Sequence, residues 1–407
     1  MLPCETIESM TNERVYLDHA ATTSLDPRVL EAMLPYLREA WGNPSSLYAE
    51  AQEARRGLEA ARRTIAGVLG CRPQDIVVTS GGSEADNLAL RSAAWAARRA
   101  GRGDQVITTA IEHHAVLHAA ERLEQEGFRV TYLGVDREGF IDLAELEDAV
   151  TAETALVSIM YVNNEVGTVE PIAKAARVVK TKNPQAAFHT DAVQAAGLLD
   201  INVDALSVDM LSIAAHKFYG PKGVGALYVR PRTPFLAQQL GGSQEKNRRA
   251  GTENVAGVVG MAKALELACV EFDSRNAQYR SLRDRLLFGI PERVPGVHIT
   301  GPTDLARRAS NSFSACLEFI EGEPVLMALD LAGVAGSSGS ACTSGSLEPS
   351  HVLTAMGIPE DLARGSMRLT VGQDNTMDQI DYVLDILPDT VARLRSLSPA
   401  WRQKAGA

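Results

Sequence analysis

At 407 residues, 45% of them hydrophobic, the chain can bury a large core, and domains of roughly 100 to 200 residues divide it into two. With 51 acidic against 40 basic residues the formal net charge is -11, which argues against direct DNA binding as the main business of the fold. Five cysteines, an odd number without a Cys-x-x-Cys pair, fit a reducing, cytoplasmic setting; no uncharged apolar run approaches the roughly 18 residues of a bilayer span, and the start lacks a signal pattern, so neither membrane insertion nor secretion is expected.

From about Pro27 to Val270, amphipathic helical stretches alternate with short apolar runs, the pattern of a mainly parallel sheet covered by helices. The predicted strands are Asp75–Thr79, Gln105–Thr109, Arg129–Leu133, Ala155–Met160, Ala187–Thr190 and Met210–Ile213. A long helical stretch through Ala256 to Leu287 follows, and then the order changes: strands at Val297–Thr300, Ser312–Leu317 and Ser366–Thr370, and a last helix over Met377 to Leu397. The reading is an α/β architecture, with a large sheet domain over residues 20–270 and a smaller α+β domain made of 1–19 and 271–407.

The polar motifs fall where these strands end, which is where ligands collect in such sheets. Ser80-Gly81-Gly82-Ser83-Glu84 follows a strand and opens a helix; it reads as an anion cradle or as a glycine turn with Ser83 as N-cap. In Glu112-His113-His114, neighbouring histidines point apart and lack acidic or cysteine partners at ligand spacing, so no metal is expected. His113 reads as a ring laid over a planar cofactor or as a half-buried residue at a helix start. Asp191 ends a strand, where it either caps a turn or pairs with a pyridinium nitrogen, and Gln194 follows three residues on.

Ala215-His216-Lys217 runs into Gly220-Pro221-Lys222-Gly223, a rigid turn that suits a lysine forming a Schiff base with a carbonyl. Arg368 on a predicted strand can hold a carboxylate in bidentate fashion or join a structural ion pair, and Asn43 and Asn164 lie in turn-like segments. Cys342, in Gly339-Ser340-Ala341-Cys342-Thr343-Ser344-Gly345, sits among small residues that predict a mobile loop in which a thiol can ionise and attack. Lysine, aspartate and cysteine together suggest pyridoxal 5'-phosphate (PLP) and sulfur.

With these residues in view, the sequence resembles the cysteine desulfurases, the NifS/IscS-like group of class V aminotransferase-type, PLP-dependent enzymes of fold type I. The resemblance begins at Tyr16-Leu17-Asp18-His19-Ala20-Ala21-Thr22-Thr23, runs through Gly42-Asn43-Pro44-Ser45-Ser46, Asn163-Asn164-Glu165 and Arg249-Ala250-Gly251-Thr252-Glu253-Asn254, and ends in the segment from Ser337 to Leu353. It implies Lys217 in covalent linkage to PLP, Asp191 at the pyridine nitrogen, Gln194 at the phenolic oxygen and His113 stacked on the ring. It further implies phosphate contacts from Gly82, Ser83 and His216, with Thr252 of the partner subunit completing them in a homodimer. Asn43, Asn164 and Arg368 would hold the carboxylate of L-cysteine, and Asn164 would also border the cofactor. Cys342 would take the sulfur as a persulfide and pass it to an acceptor protein such as an iron-sulfur scaffold, in complex with which it could ligate a cluster.

Four positions depart from the family pattern: Ala214 stands where a serine offers its hydroxyl to the cofactor phosphate, Tyr48 replaces a histidine, His19 an asparagine and Gln373 an arginine. Two rival readings are a PLP lyase acting on another amino acid such as selenocysteine, and a weakly catalytic sulfur-assembly scaffold. The Cys342 loop counts against the first, and the retention of Lys217, Asp191 and Cys342 against the second.

Overall fold

The computed structural model describes residues 14–339, 349–399 and 401–402. Seven strands form the main sheet, in the order Ile76–Thr79, Gly225–Val229, Met210–Ala214, Ala187–Asp191, Thr154–Ser158, Gln105–Thr109 and Arg129–Leu133. Gly225–Val229 runs antiparallel to both of its neighbours, and every other pairing is parallel. The α/β class expected from the alternation of elements is therefore the one found.

The inner strands are buried along their whole length, as expected for a sheet covered on both faces. Successive side chains alternate between the two layers. Ile76, Val78, Val157 and Phe188 pack on one face with helices Ala49–Leu69, Ile172–Lys182 and Val255–Val270. Val77, Leu156 and Ala187 pack on the other with helices Gly82–Arg99 and His114–Gln125. The strand Gly225–Val229 had no counterpart in the sequence reading, because its glycine-rich entry merges with the preceding turn. The long helical stretch is two helices, Val255–Val270 and Phe272–Arg293, parted at Glu271.

A second, antiparallel sheet has the order Ser366–Thr370, Ser312–Leu317, Val297–Ile299. Helices Phe272–Arg293 and Met377–Leu397 contribute Leu286 and Leu384 to its core, where Phe313, Met367, Leu369 and Leu17 also lie. The N-terminal strand Val15–Tyr16 pairs in parallel with Val334–Ala335. Beyond it Leu17 donates to the Ala335 carbonyl and accepts from Thr370, and the chain then crosses to the carboxyl edge of the main sheet.

One buried charge ties helix Phe272–Arg293 to the loop that joins strands Val297–Ile299 and Ser312–Leu317 of the second sheet. Arg283, 2% exposed, donates Nη1 to the carbonyls of Leu305, Arg308 and Ala309 and Nε to Asp284. Arg283→Met keeps the bulk and orphans the carbonyls, at a cost of about 2–4 kcal/mol. The thermal midpoint is expected to fall by several degrees; an unchanged midpoint in calorimetry would show the network to be dispensable.

Candidate active site

The carboxyl ends of the parallel strands carry the motif loops to one rim. A cavity of about 260 Å³ opens there, lined by Ala21, Gly82, Ser83, Asp86, His113, Met160, Asn164, Asp191, Val193, Gln194, Ala214, His216 and Lys217. The structure thus brings together eight of the residues singled out in the sequence: Gly82, Ser83, His113, Asn164, Asp191, Gln194, His216 and Lys217.

At the closed end stands Asp191, the last residue of its strand and 6% exposed. Its Oδ1 accepts the Val193 N–H at 2.8 Å. Burial pushes its carboxyl up to about 6, against the pull of that N–H and of Lys217. Behind it, the strand register pairs His189 with Ser158 on one side and with Met210 on the other, and the ring reaches diagonally to Ser212: His189 Nδ1 lies 2.8 Å from the Ser158 hydroxyl and Nε2 2.9 Å from that of Ser212. Asp86, from the first turns of helix Gly82–Arg99, approaches His189 Nε2 at 3.7 Å. Burial and the nearby Asp191 hold the Asp86 carboxyl well above the usual range. Asp86 and His189 were missed in the sequence reading; their signal was two polar residues at positions otherwise predicted to be core.

Lys217 closes a short 3-10 turn, Ala215–Lys217, directly after Met210–Ala214. Its Nζ donates to the carbonyls of Ala20 (2.5 Å) and Ala21 (2.9 Å). Gln194 Nε2 also donates to Ala20 O (2.9 Å). His113 caps helix His114–Gln125: Nδ1 accepts the Ala115 N–H at 3.1 Å, which leaves the proton of the neutral ring on Nε2. Burial and Lys217 lower its pKa to about 4, so the ring is neutral at pH 7. His114 turns away and packs edge-on against His351, ring centroids 4.7 Å apart. Among the described residues no group of His, Cys, Asp or Glu is arranged to hold a metal ion.

The outer end fits an anion. Gly82 opens helix Gly82–Arg99, whose first-turn N–H groups face the cavity mouth shared by Ser80, Ser83, Thr22, His216 and Lys222. A Cβ on Gly82 would lie 2.8 Å from Val193 Cγ2, so a larger residue there would have to push the Val193 side chain aside. His216 Nδ1 lies 3.1 Å from the Thr22 hydroxyl, and burial with nearby Lys217 lowers its pKa to about 4. A lysine, a carboxylate at the far end and an anion cradle at the mouth are the donor set that PLP requires.

The remaining candidates lie elsewhere. Arg368, 2% exposed, donates Nη1 to the Asn164 carbonyl (2.8 Å) and Nη2 to Asp18 (2.7 Å), while its buried Nε has no hydrogen-bond partner among the described residues. It is both an ion pair and a guanidinium with one donor in reserve. Asn43 is exposed, accepts the Ser45 N–H and does not line the cavity. Thr252 is exposed and does not line the cavity of its own chain; its segment is anchored by Arg249, which binds Glu84 at 2.7 and 3.1 Å. Cys342 lies outside the described residues.

Two outcomes follow for PLP binding. Ala214 is fully buried with Cβ 3.6 Å from where a Gly82 Cβ would stand, so a hydroxyl there would face the anion cradle. Ala214→Ser is expected to tighten PLP binding about tenfold, one hydrogen bond to a charged group being worth about 1.5–3 kcal/mol; equal dissociation constants in fluorescence titration would contradict this. Asp191 holds a cation only when ionised, so PLP affinity of the apoprotein should fall as pH drops through about 6. Asp191→Asn should bind more weakly above about pH 6 and lose the share of that step that exceeds the cofactor phosphate's own ionisation near pH ~6.

The sequence profile of the aminotransferase class-V family matches residues 15–383. A cysteine desulfurase IscS of Clostridium botulinum (strain Hall) is 48% identical over 390 residues, 96% of this chain and 97% of that protein. One from Methanosarcina thermophila is 46% identical over 392 residues, covering 96% and 95%. Among solved structures, a NifS-like protein superposes with a TM-score of 0.88 at 39% identity, covering 94% of this chain and all of that one. The apo cysteine desulfurase of Thermococcus onnurineus NA1 reaches 0.84 at 26% identity, covering 94% and 96%. The chain belongs to the class-V aminotransferase family, among its cysteine desulfurases.

Proposed function

We propose that this chain is a PLP-dependent cysteine desulfurase that converts L-cysteine to L-alanine and takes the sulfur on Cys342. The observation that carries the reading is the joining of Lys217, Asp191, Gln194, His113 and a helix-start anion cradle in one cavity, in a chain so close to proteins of that activity. Bound there, PLP supplies an electron sink for the substrate's α-carbon. Asp191 keeps a proton at the pyridine nitrogen, and Gly82, Ser83 and His216 hold the phosphate. Lys217 Nζ, once the substrate amine has taken its place, accepts the α-proton. His113, lining the cavity with its proton on Nε2, would move a proton to or from the substrate thiol. Asn164 and Arg368, whose Nε has no partner among the described residues, orient the α-carboxylate, and Asn43 completes that set.

The sulfur step balances within the enzyme and substrate. The Cys342 thiolate donates an electron pair to the substrate sulfur; an S–S bond forms as the Cβ–S bond breaks, and the pair left on Cβ takes up a proton to give alanine. Burial pushes the thiols of Cys71 and Cys316 up to about 12, so neither is a nucleophile at neutral pH. The persulfide then passes to an acceptor protein in the cytoplasm, an iron-sulfur scaffold by the reading preferred here, in complex with which Cys342 could also ligate a cluster. The chain acts as a homodimer in which Thr252 of the partner subunit reaches the phosphate. Exposed Trp41, Leu47 and Tyr48, beside Asn43, give the apolar surface such a contact needs.

Purified, PLP-loaded protein is expected to release equal alanine and sulfide from L-cysteine and a reductant. Cys342→Ala should abolish both while retaining the cofactor absorption band, and Lys217→Ala should alter the band itself. Sulfide release by Cys342→Ala at the parental rate would overturn the assignment of the thiol. Light scattering should give twice the chain mass, and mixing Thr252→Ala with Lys217→Ala chains should change activity in the way shared sites require.

A further inference from the structure

The two stretches of chain that flank residues 340–348 meet at a single buried carboxyl. Glu165, 3% exposed, projects from the loop after strand Thr154–Ser158. Its Oε2 accepts the Ser350 hydroxyl at 2.5 Å, and Ser350 in turn caps helix His351–Ala355 by accepting from the Val352 and Leu353 amides. On the other flank Gly339 is buried against the same carboxyl: a Cβ there would collide with Oε2 and stand 3.1 Å from Cδ. The φ of Gly339 lies outside the left-handed region, so space, not backbone strain, demands glycine.

The carboxyl is itself held. Asn163 Oδ1 accepts the amides of Glu165 (2.9 Å) and Val166 (3.0 Å), while its Nδ2 donates to the Ile111 carbonyl at 3.0 Å. Between Asn163 and Glu165 lies Asn164, whose side chain borders the cavity and whose carbonyl accepts from Arg368. Arg368 and Ser337 exchange backbone hydrogen bonds (2.6 and 3.1 Å), and His351 Nε2 lies 3.0 Å from the Glu112 carbonyl. Both ends of the Cys342 segment are thus referenced to the wall that carries Asn164 and Arg368.

We propose that Glu165 is a positioning residue for Cys342, clamping Gly339 and Ser350 together so that the thiol is delivered to the substrate sulfur in a fixed register. This rests on the reading of Cys342 as the sulfur-accepting thiol. Buried and hydrogen-bonded to a hydroxyl, Glu165 acts by shape and as an acceptor, so its isosteric amide can replace it.

The test uses the PLP-loaded holoenzyme with two readouts: the absorption change of the cofactor on adding L-cysteine, and persulfide on Cys342 in a single turnover, trapped by alkylation and read by mass spectrometry. Gly339→Ala is expected to slow persulfide formation about 10- to 100-fold, the cost of an ångström-scale misplacement, with the L-cysteine midpoint of the absorption change held to within about twofold. Ser350→Ala should slow it less, Glu165→Gln should stay close to the parent, and adding Glu165→Ala to Gly339→Ala should cost less than the product of the two single effects, because the collision is removed. Persulfide formation at the parental rate in Gly339→Ala, or parallel loss of both readouts, would overturn the clamp. Cys342→Ala run alongside separates the two failures: if it still transfers sulfur, the thiol assignment falls and takes the clamp with it, whereas an inert Cys342→Ala beside an unaffected Gly339→Ala removes the clamp alone.

Discussion

The closed end of the cavity must keep a carboxylate out of water, and much of the main sheet is arranged around that cost. A buried carboxylate without partners neutralises itself by taking a proton. Asp191 is offset by one backbone N–H and by the amine of Lys217, which is enough to leave its pKa near 6 and the group ionised at pH 7. Burial and neighbouring carboxyls hold Asp86 and Glu112, close by, well above the usual carboxylate range. His189, with its pKa lowered to about 3, stays neutral between two serine hydroxyls. Of the two carboxyls that line the cavity, Asp191 is the one paired with the Lys217 amine, at the point where a pyridinium would bring the matching charge.

A second dependence runs through residues 17–23, which link the two sheets. This segment turns at residues 19–21, and several of its carbonyls are not used by a ladder, so they serve side chains instead. Ala20 and Ala21 receive Lys217 and Gln194, the Thr22 hydroxyl meets His216, and the Asp18 carboxylate holds Arg368. Four site side chains from both sheets are set by seven residues of chain. His19 lies within this stretch, buried edge-on against Tyr16 with ring centroids 4.9 Å apart, and fills space against the Gly372 backbone. Both ring nitrogens of His19 are buried without a hydrogen-bond partner among the described residues, and burial lowers its pKa.

What could be read in the sequence was set by periodicity and by punctuation. The apolar runs at Gln105–Thr109, Arg129–Leu133 and Ser312–Leu317 and the helix Met377–Leu397 fall where their patterns place them, because burial on one or both faces forces the composition. The cluster of motifs at the strand ends was legible for the same reason: a parallel sheet sends every such loop to one rim. Gly225–Val229 was not, since an antiparallel return strand beginning in glycine looks like the tail of a turn. The break at Glu271 was hidden because its cause is tertiary: the carboxylate is drawn to Arg28 and Arg275, and no glycine or proline marks the place. Asn43 had a turn signal and a substrate signal at once, and within one chain only the turn is expressed. Asp86 and His189 carry no local motif: the packing of helix Gly82–Arg99 on the sheet brings Asp86 to the site, and the strand position brings His189.

The three consecutive residues Asn163, Asn164 and Glu165 show how one loop can serve separate ends. Asn163 spends its side chain on the loop itself, fixing its shape. With that shape fixed, adjacent residues face different ways: Asn164 borders the cavity, and Glu165 is turned to Gly339 and Ser350. A loop held only by its ends could not keep two such faces in register, because a small rotation that improved one would spoil the other. The cost is a buried carboxyl, which burial pushes toward its neutral form while Ser350, His351 and Arg368 oppose it. The gain is that Asn164 at the cavity wall and Glu165 between Gly339 and Ser350 are fixed by the same hydrogen-bonded loop.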